Sequence, residues 1–74
     1  MENKYEIIIF WSDEDHCYVA DIPDLSFCSA FGDTPEEALA EVERAKQGWL
    51  EAARAAGRPV PEPRYRAQVQ HVER

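Results

Sequence analysis

The chain has 74 residues, room for one domain spanning residues 1–74 and no more. A domain of this size buries a modest share of its surface, and with two cysteines and no zinc spacing it lacks the usual staples of a small fold. Its formal net charge of −7 disfavours autonomous binding to DNA or RNA, whose phosphates a negative field repels.

The charge is unevenly placed. Residues 1–33 hold eight acids against Lys4 alone, whereas residues 34–74 hold seven acids and seven bases. Acidity of this kind keeps a protein in solution, and it also attracts basic partners. No apolar run approaches the ~20 residues needed to cross a bilayer. The start, Met1-Glu2-Asn3-Lys4, lacks the regions of a secretory signal, so the expectation is a cytoplasmic protein.

The first predicted element is a strand over Tyr5 to Trp11. Its β-branched and aromatic residues suit a pleated surface. Tyr5, Ile7, Ile9 and Trp11 share one face, and Ile8 and Phe10 the other. Apolar groups on both faces predict a strand covered on both sides, by a helix on one and by a second subunit on the other. Ser12-Asp13-Glu14-Asp15 reads as a turn. A second strand follows from about His16 to Ile22, with Tyr18, Ala20 and Ile22 on one face and Cys17, Val19 and Asp21 on the other. Pro23-Asp24 turns the chain, and a third strand runs from about Phe27 to Phe31. Short connections make these three an antiparallel meander.

Gly32-Asp33-Thr34-Pro35-Glu36-Glu37 carries the strongest local signal. Gly32 supplies freedom to leave the strand, Thr34 is an N-cap, Pro35 sits at N1, and Glu37 completes a capping box. The helix runs from about Pro35 to Ala56. Leu39, Val42, Ala45 or Lys46, Trp49, Leu50 and Ala53 form its sheet-facing stripe, widened by Ala38, Ala52 and Ala56. Glu41 with Arg44, Glu43 with Lys46 and Glu51 with Arg54 are three apart on the exposed side and form helix-stabilising pairs. Gly48 interrupts the interior, and Gly57 has the type of a C′ residue. The prolines of Arg58-Pro59-Val60-Pro61-Glu62-Pro63 predict an extended connector back toward the sheet. Tyr65, Ala67 and Val69 then alternate with polar residues in a last strand, with fraying expected from His71 to Arg74.

Few residues suggest chemistry. Cys17 and Cys28 fall on one sheet face if the second and third strands form a hairpin turning at Pro23-Asp24, and in a cytosolic protein they are expected to be reduced. Asp13, Glu14, Asp15 and His16 form an acidic patch, but adjacent residues on a short turn do not converge on a cation. A solvated turn is the favoured reading there, and a contact patch for a basic partner the next. Together with Asp21 and Asp24 these acids are the candidate partner-binding residues, Asp13, Glu14, Asp15, Asp21 and Asp24. Glu6 and Asp21 are the only strand carboxylates available to a metal-dependent nuclease, which needs a tighter cluster. No nucleophile elbow or phosphate loop occurs, so neither an enzyme nor a cofactor or metal is expected.

Several segments in one order resemble the HicB family of antitoxins in its N-terminal domain form. Tyr5-Glu6-Ile7-Ile8-Ile9 is similar to the opening strand, and Tyr18-Val19-Ala20-Asp21-Ile22-Pro23-Asp24-Leu25 to the "yva-x-x-pdl" segment. Cys28 with Gly32-Asp33-Thr34-Pro35-Glu36-Glu37-Ala38 resembles "GC-x-t-x-GdT-x-eEA". Trp49-Leu50 and Pro59-Val60-Pro61-Glu62-Pro63 resemble the helix end and the "piPeP" connector. One departure stands out: the family usually has Pro-Gly before the cysteine, where this chain has Ser26-Phe27.

The α+β order read from the residues, β-β-β-α-β with one long helix packed on a three-stranded meander, matches what the resemblance implies, a partial ribonuclease-H-like fold without catalytic carboxylates. The resemblance also implies a protein that neutralises a small RNA-cleaving toxin, which the charge suggests is basic. Typical members add a C-terminal DNA-binding domain; this chain ends at Arg74, and the expectation is that it lacks one. The expected assembly is a homo-oligomer, a dimer or tetramer. The alternative is a solitary structural or ligand-binding oligomer with no toxin partner.

Overall fold

The computed structural model describes residues 5–62 and the backbone of residues 69–72. Three strands, β1 (Ile7–Ser12), β2 (Cys17–Asp21) and β3 (Ser29–Gly32), form the antiparallel meander. Helix α1 (Pro35–Ala55) packs across one face of it. A fourth strand, β4 (Val69–Val72), lies parallel to β1, so the sheet order is β3-β2-β1-β4. Parallel neighbours require a crossover, and α1 with its proline connector supplies it. The last strand expected from Tyr65 falls partly on residues outside those described; its pairing reaches His71 opposite Ile9 and Val72 opposite Phe10, where fraying was expected, because β1 offers partners that far.

Register assigns the faces. Ile9 is opposite Ala20, and Ala20 is opposite Ala30. Tyr5, Ile7, Ile9, Ala20 and Ile22 are buried on the helix side, together with Leu25, Cys28, Ala38, Val42 and Leu50. Complete burial of a side chain such as Leu50 or Val42 contributes about 1.5–3 kcal/mol. Trp11 continues the inner face and meets Tyr18 edge-on, ring centroids 5.1 Å apart. Among the described residues no element covers the opposite face.

The helix begins as its sequence predicts. Thr34 accepts from the Glu37 N–H at 3.1 Å. The return arm is displaced by one residue, since Glu37 accepts from the Asp33 N–H at 2.9 Å. The helix ends in a Schellman motif. Arg58 N–H donates to the Ala53 carbonyl at 2.8 Å and Gly57 N–H to the Arg54 carbonyl at 3.1 Å, with Gly57 at φ 70°. Ala56 is therefore the cap and not the last helical residue.

Two details of the helix and its entry differ from the sequence reading. Ala52 and Ala56 are exposed, so the buried stripe is narrower, Ala38, Val42, Leu50 and Ala53, flanked by half-buried Leu39, Ala45 and Trp49. Gly32 is a glycine for lack of space and not for unusual backbone angles. A Cβ there would stand 2.4 Å from the Ala38 nitrogen and 2.8 Å from two atoms of Glu37. Beyond the helix, Val60 packs on the core and the Tyr5 hydroxyl donates to the Pro61 carbonyl at 2.5 Å, returning the connector to the sheet as expected.

Candidate partner-binding surface

The hairpin turn between β1 and β2 is locally determined. His16 N–H closes it onto the Ser12 carbonyl at 2.8 Å, and His16 sits at φ 54°, a region that histidine enters more readily than most side chains. The Ser12 hydroxyl accepts from the Asp15 N–H at 3.2 Å and donates to the Asp15 carboxylate at 3.1 Å. The Trp11 indole N–H donates to Asp13 at 2.8 Å. Asp13 and Asp15 thus shape the turn, yet both remain exposed, as do Glu14 and His16.

The other two candidate acids lie at the far end of β2. That end is roughly 14 Å from the turn at ~3.4 Å per residue. Asp21 is half-buried and accepts from the Ser29 hydroxyl at 2.8 Å. Asp24, within the turn that joins Ile22 to Leu25, is only 8 % exposed. The five acids do not gather. Three crown one end of the sheet and Asp21 borders the other. Glu6 stands two residues before Ile8, which faces Asp21 across the ladder, so Glu6 and Asp21 share the outer face. Among the described residues no three His, Cys, Asp or Glu side chains are placed to hold a metal ion.

Between the two acidic ends runs an apolar row that the sequence reading treated only as a generic second face. Phe10 is opposite Val19, and Val19 is opposite Phe31, so three strands contribute one residue each. Val19 is shielded by these neighbours, and Phe31 remains 56 % exposed. Ile8 extends the row, half-buried.

The cysteines separate. The Ile22 N–H donates to the Cys28 carbonyl at 3.0 Å, which sets Cys28 opposite Ile22 on the helix side. Cys17 belongs to the alternate set, on the outer face. The expected common face is therefore wrong by one step of register, and such a step moves a side chain to the other face of a sheet. Both thiols are free. Burial pushes the Cys28 thiol up, Asp21 adds to the effect and Lys46 opposes it. Cys17 is displaced upward too, by desolvation first and then by Asp15 and Asp33. Tyr5 is raised chiefly by burial, with Asp24 and Glu62 acting in the same direction and Arg54 against them.

Phe27 was not singled out as a contact residue. It is fully exposed and stands at φ 61°, the third position of a turn closed by the Cys28 N–H on the Leu25 carbonyl at 3.2 Å. Glycine is the residue that such a position favours. The visible signal was the replacement of Pro-Gly by Ser26-Phe27. The turn survives that replacement, held from the helix by the Trp49 indole N–H on the Ser26 carbonyl at 2.9 Å.

A family model described as "HicB_like antitoxin of bacterial toxin-antitoxin system" matches residues 5–73. No curated protein and no solved structure gives a match.

Proposed function

Because the chain belongs to the HicB-like antitoxin family, we propose that it binds and neutralises a small, basic, RNA-cleaving toxin by protein contact, in the cytoplasm and without catalysis of its own. The observation that carries this reading is the uncovered row Phe10, Val19 and Phe31, bordered by the exposed carboxylates of Asp13, Glu14 and Asp15 at one end and by Asp21 at the other. An apolar centre with a charged rim is the anatomy of a protein interface. The acids would raise the association rate and select cationic partners, and the apolar row would slow dissociation. The strand order and the single helix on one face support a partial ribonuclease-H-like reading of the fold.

The test is co-expression with the small basic protein encoded beside this chain. A complex that forms at low salt, weakens at high salt and suppresses RNA cleavage in proportion to its amount is the expected result. Absence of any complex at low salt would remove the proposal.

The same apolar row favours one second reading, a homo-oligomer in which another copy covers Phe10, Val19 and Phe31. Light scattering tests this placement of a second copy. Self-association abolished by Phe10→Glu supports it, and a monomer across concentrations removes it.

A further inference from the structure

Among the described residues the β3 edge of the sheet is open. Since Ile22 and Cys28 form a hydrogen-bonded pair, the alternation of an antiparallel ladder makes Ala20–Ala30 and Tyr18–Gly32 the next bonded pairs. Ser29 and Phe31 then turn their N–H and C=O groups away from β2. Both residues are exposed, and among the described residues no further strand follows β3 in the sheet order. Natural edges are commonly blunted by lysine, proline or a bulge, none of which occurs in Ser29–Gly32.

Beside this edge lies an open groove of about 740 Å³. Its lining includes Ala30, Phe31 and Ala40 together with Asp33, Glu37 and Glu41. Glu37 is engaged by the Asp33 N–H, and Glu41 by the Arg44 guanidinium at 3.2 Å, and the lining is acidic.

We propose that β3 receives an extended, cationic segment of a partner protein as an added strand. Its backbone would pair with Ser29 and Phe31, its apolar side chains would rest on Phe31 and Ala40, and its lysines or arginines would lie against Asp33 and Glu41. This is strand addition, in which the main chain supplies affinity and alternate side chains supply specificity. A second copy fits less well. Pairing two β3 edges about a twofold axis would bring both sets of Asp33, Glu37 and Glu41 together, in chains that each carry a formal charge of −7. The inference rests on the antitoxin reading only for the identity of the partner, not for the chemistry of the site.

Amide hydrogen exchange of the 15N-labelled chain tests it, with a peptide of alternating Lys and Val as the probe and a Glu and Val peptide as the control. The Lys peptide is expected to slow exchange at Ser29 and Phe31 and to shift the resonances of Ala40 and Glu41, while the Glu peptide leaves them unchanged. Phe31→Pro, which deletes the outward N–H but no bond to β2, should weaken binding about tenfold more than Phe31→Ala, which deletes only the ring. Glu41→Lys keeps the exposed helix surface and should reverse the preference between the two peptides. Perturbation confined to the Asp13–His16 turn or to Ile8, Phe10 and Val19 would overturn the proposal. So would protection of Ser29 and Phe31 that grows with protein concentration in the absence of peptide, which would give the edge to a second copy. A toxin complex indifferent to Phe31→Pro would remove the edge and leave the antitoxin reading standing. Peptide binding at the edge without any toxin complex would do the reverse.

Discussion

Replacing Gly32 by alanine probes the contact between the end of the sheet and the start of the helix. The added Cβ would lie 2.4 Å from the Ala38 nitrogen and 2.8 Å from the carbonyl carbon and Cβ of Glu37. Ordinary contact is about 3.5 Å, so the first turn of α1 has to retreat by about 1 Å. Ala38 is completely buried, and its N–H donates to the Thr34 carbonyl at 3.0 Å, so the retreat disturbs both the core and the first helical bond. Overpacking of this kind costs about 1–3 kcal/mol, and a clash with backbone rather than a flexible side-chain end belongs at the upper limit, about 3 kcal/mol. A chain of this length has about 4–11 kcal/mol in total. In a domain this small each kcal/mol moves the melting temperature by about 4–8 °C, so a loss of about 12–24 °C is expected. Calorimetry or thermal circular dichroism measures it. Gly48→Ala is the control, because a Cβ at Gly48 meets nothing within 4 Å; there the helix gains about 1 kcal/mol and melting rises by about 4–8 °C. A Gly32→Ala chain that melts within about 3 °C of the parent would refute the close-approach argument.

Three further outcomes are expected. Phe27→Gly relieves the positive φ at a fully exposed position; with about 1–2 kcal/mol of strain set against up to about 1 kcal/mol of chain entropy, the urea midpoint should rise slightly, and a clear fall would show that the ring contributes to the fold. Thr34→Ala removes the acceptor for the Glu37 N–H and should cost about 1 kcal/mol by urea unfolding, whereas Thr34→Ser should be nearly neutral. The raised Tyr5 phenol and Cys28 thiol bind protons more tightly in the folded state. Their stabilisation is complete below the ordinary values of 9.0 for cysteine and 10.0 for tyrosine and is lost as pH rises through the folded ones, so the urea midpoint should fall above about pH 9 and the part above pH 10 should flatten in Tyr5→Phe; an identical slope in that variant would exclude the Tyr5 contribution.

The antitoxin reading passes through the same local features. Loss of the Asp13, Glu14 and Asp15 charges by Asn and Gln substitution leaves the apolar row intact and should slow association more than it speeds dissociation. Asp13 also accepts from the Trp11 indole, so Asn at that position, which retains an acceptor, is the variant that removes charge without removing the bond.

What could be read without a fold were features settled within a few residues of one another. Thr34, Pro35 and Glu37 start the helix through contacts spanning three or four positions, and Gly57 ends it in the same way. The alternation of Ile7, Ile8, Ile9 and Phe10 announced two apolar faces, because side chains of a strand alternate whatever the strand is paired with. What tertiary structure alone decided depends on pairs distant in sequence or on where neighbouring backbones run. The pairing of Ile22 with Cys28 set the face of the second cysteine, and turn composition does not specify it to one residue. The exposure of Ala52 and Ala56 beside the buried Ala53 was decided by how the helix packs. Asp24 was legible as a turn acid but not as a buried one. Gly32 was legible as a glycine needed at the junction between sheet and helix, but its reason, the absence of room for a single carbon beside Ala38, exists only once the strand and the helix are in contact.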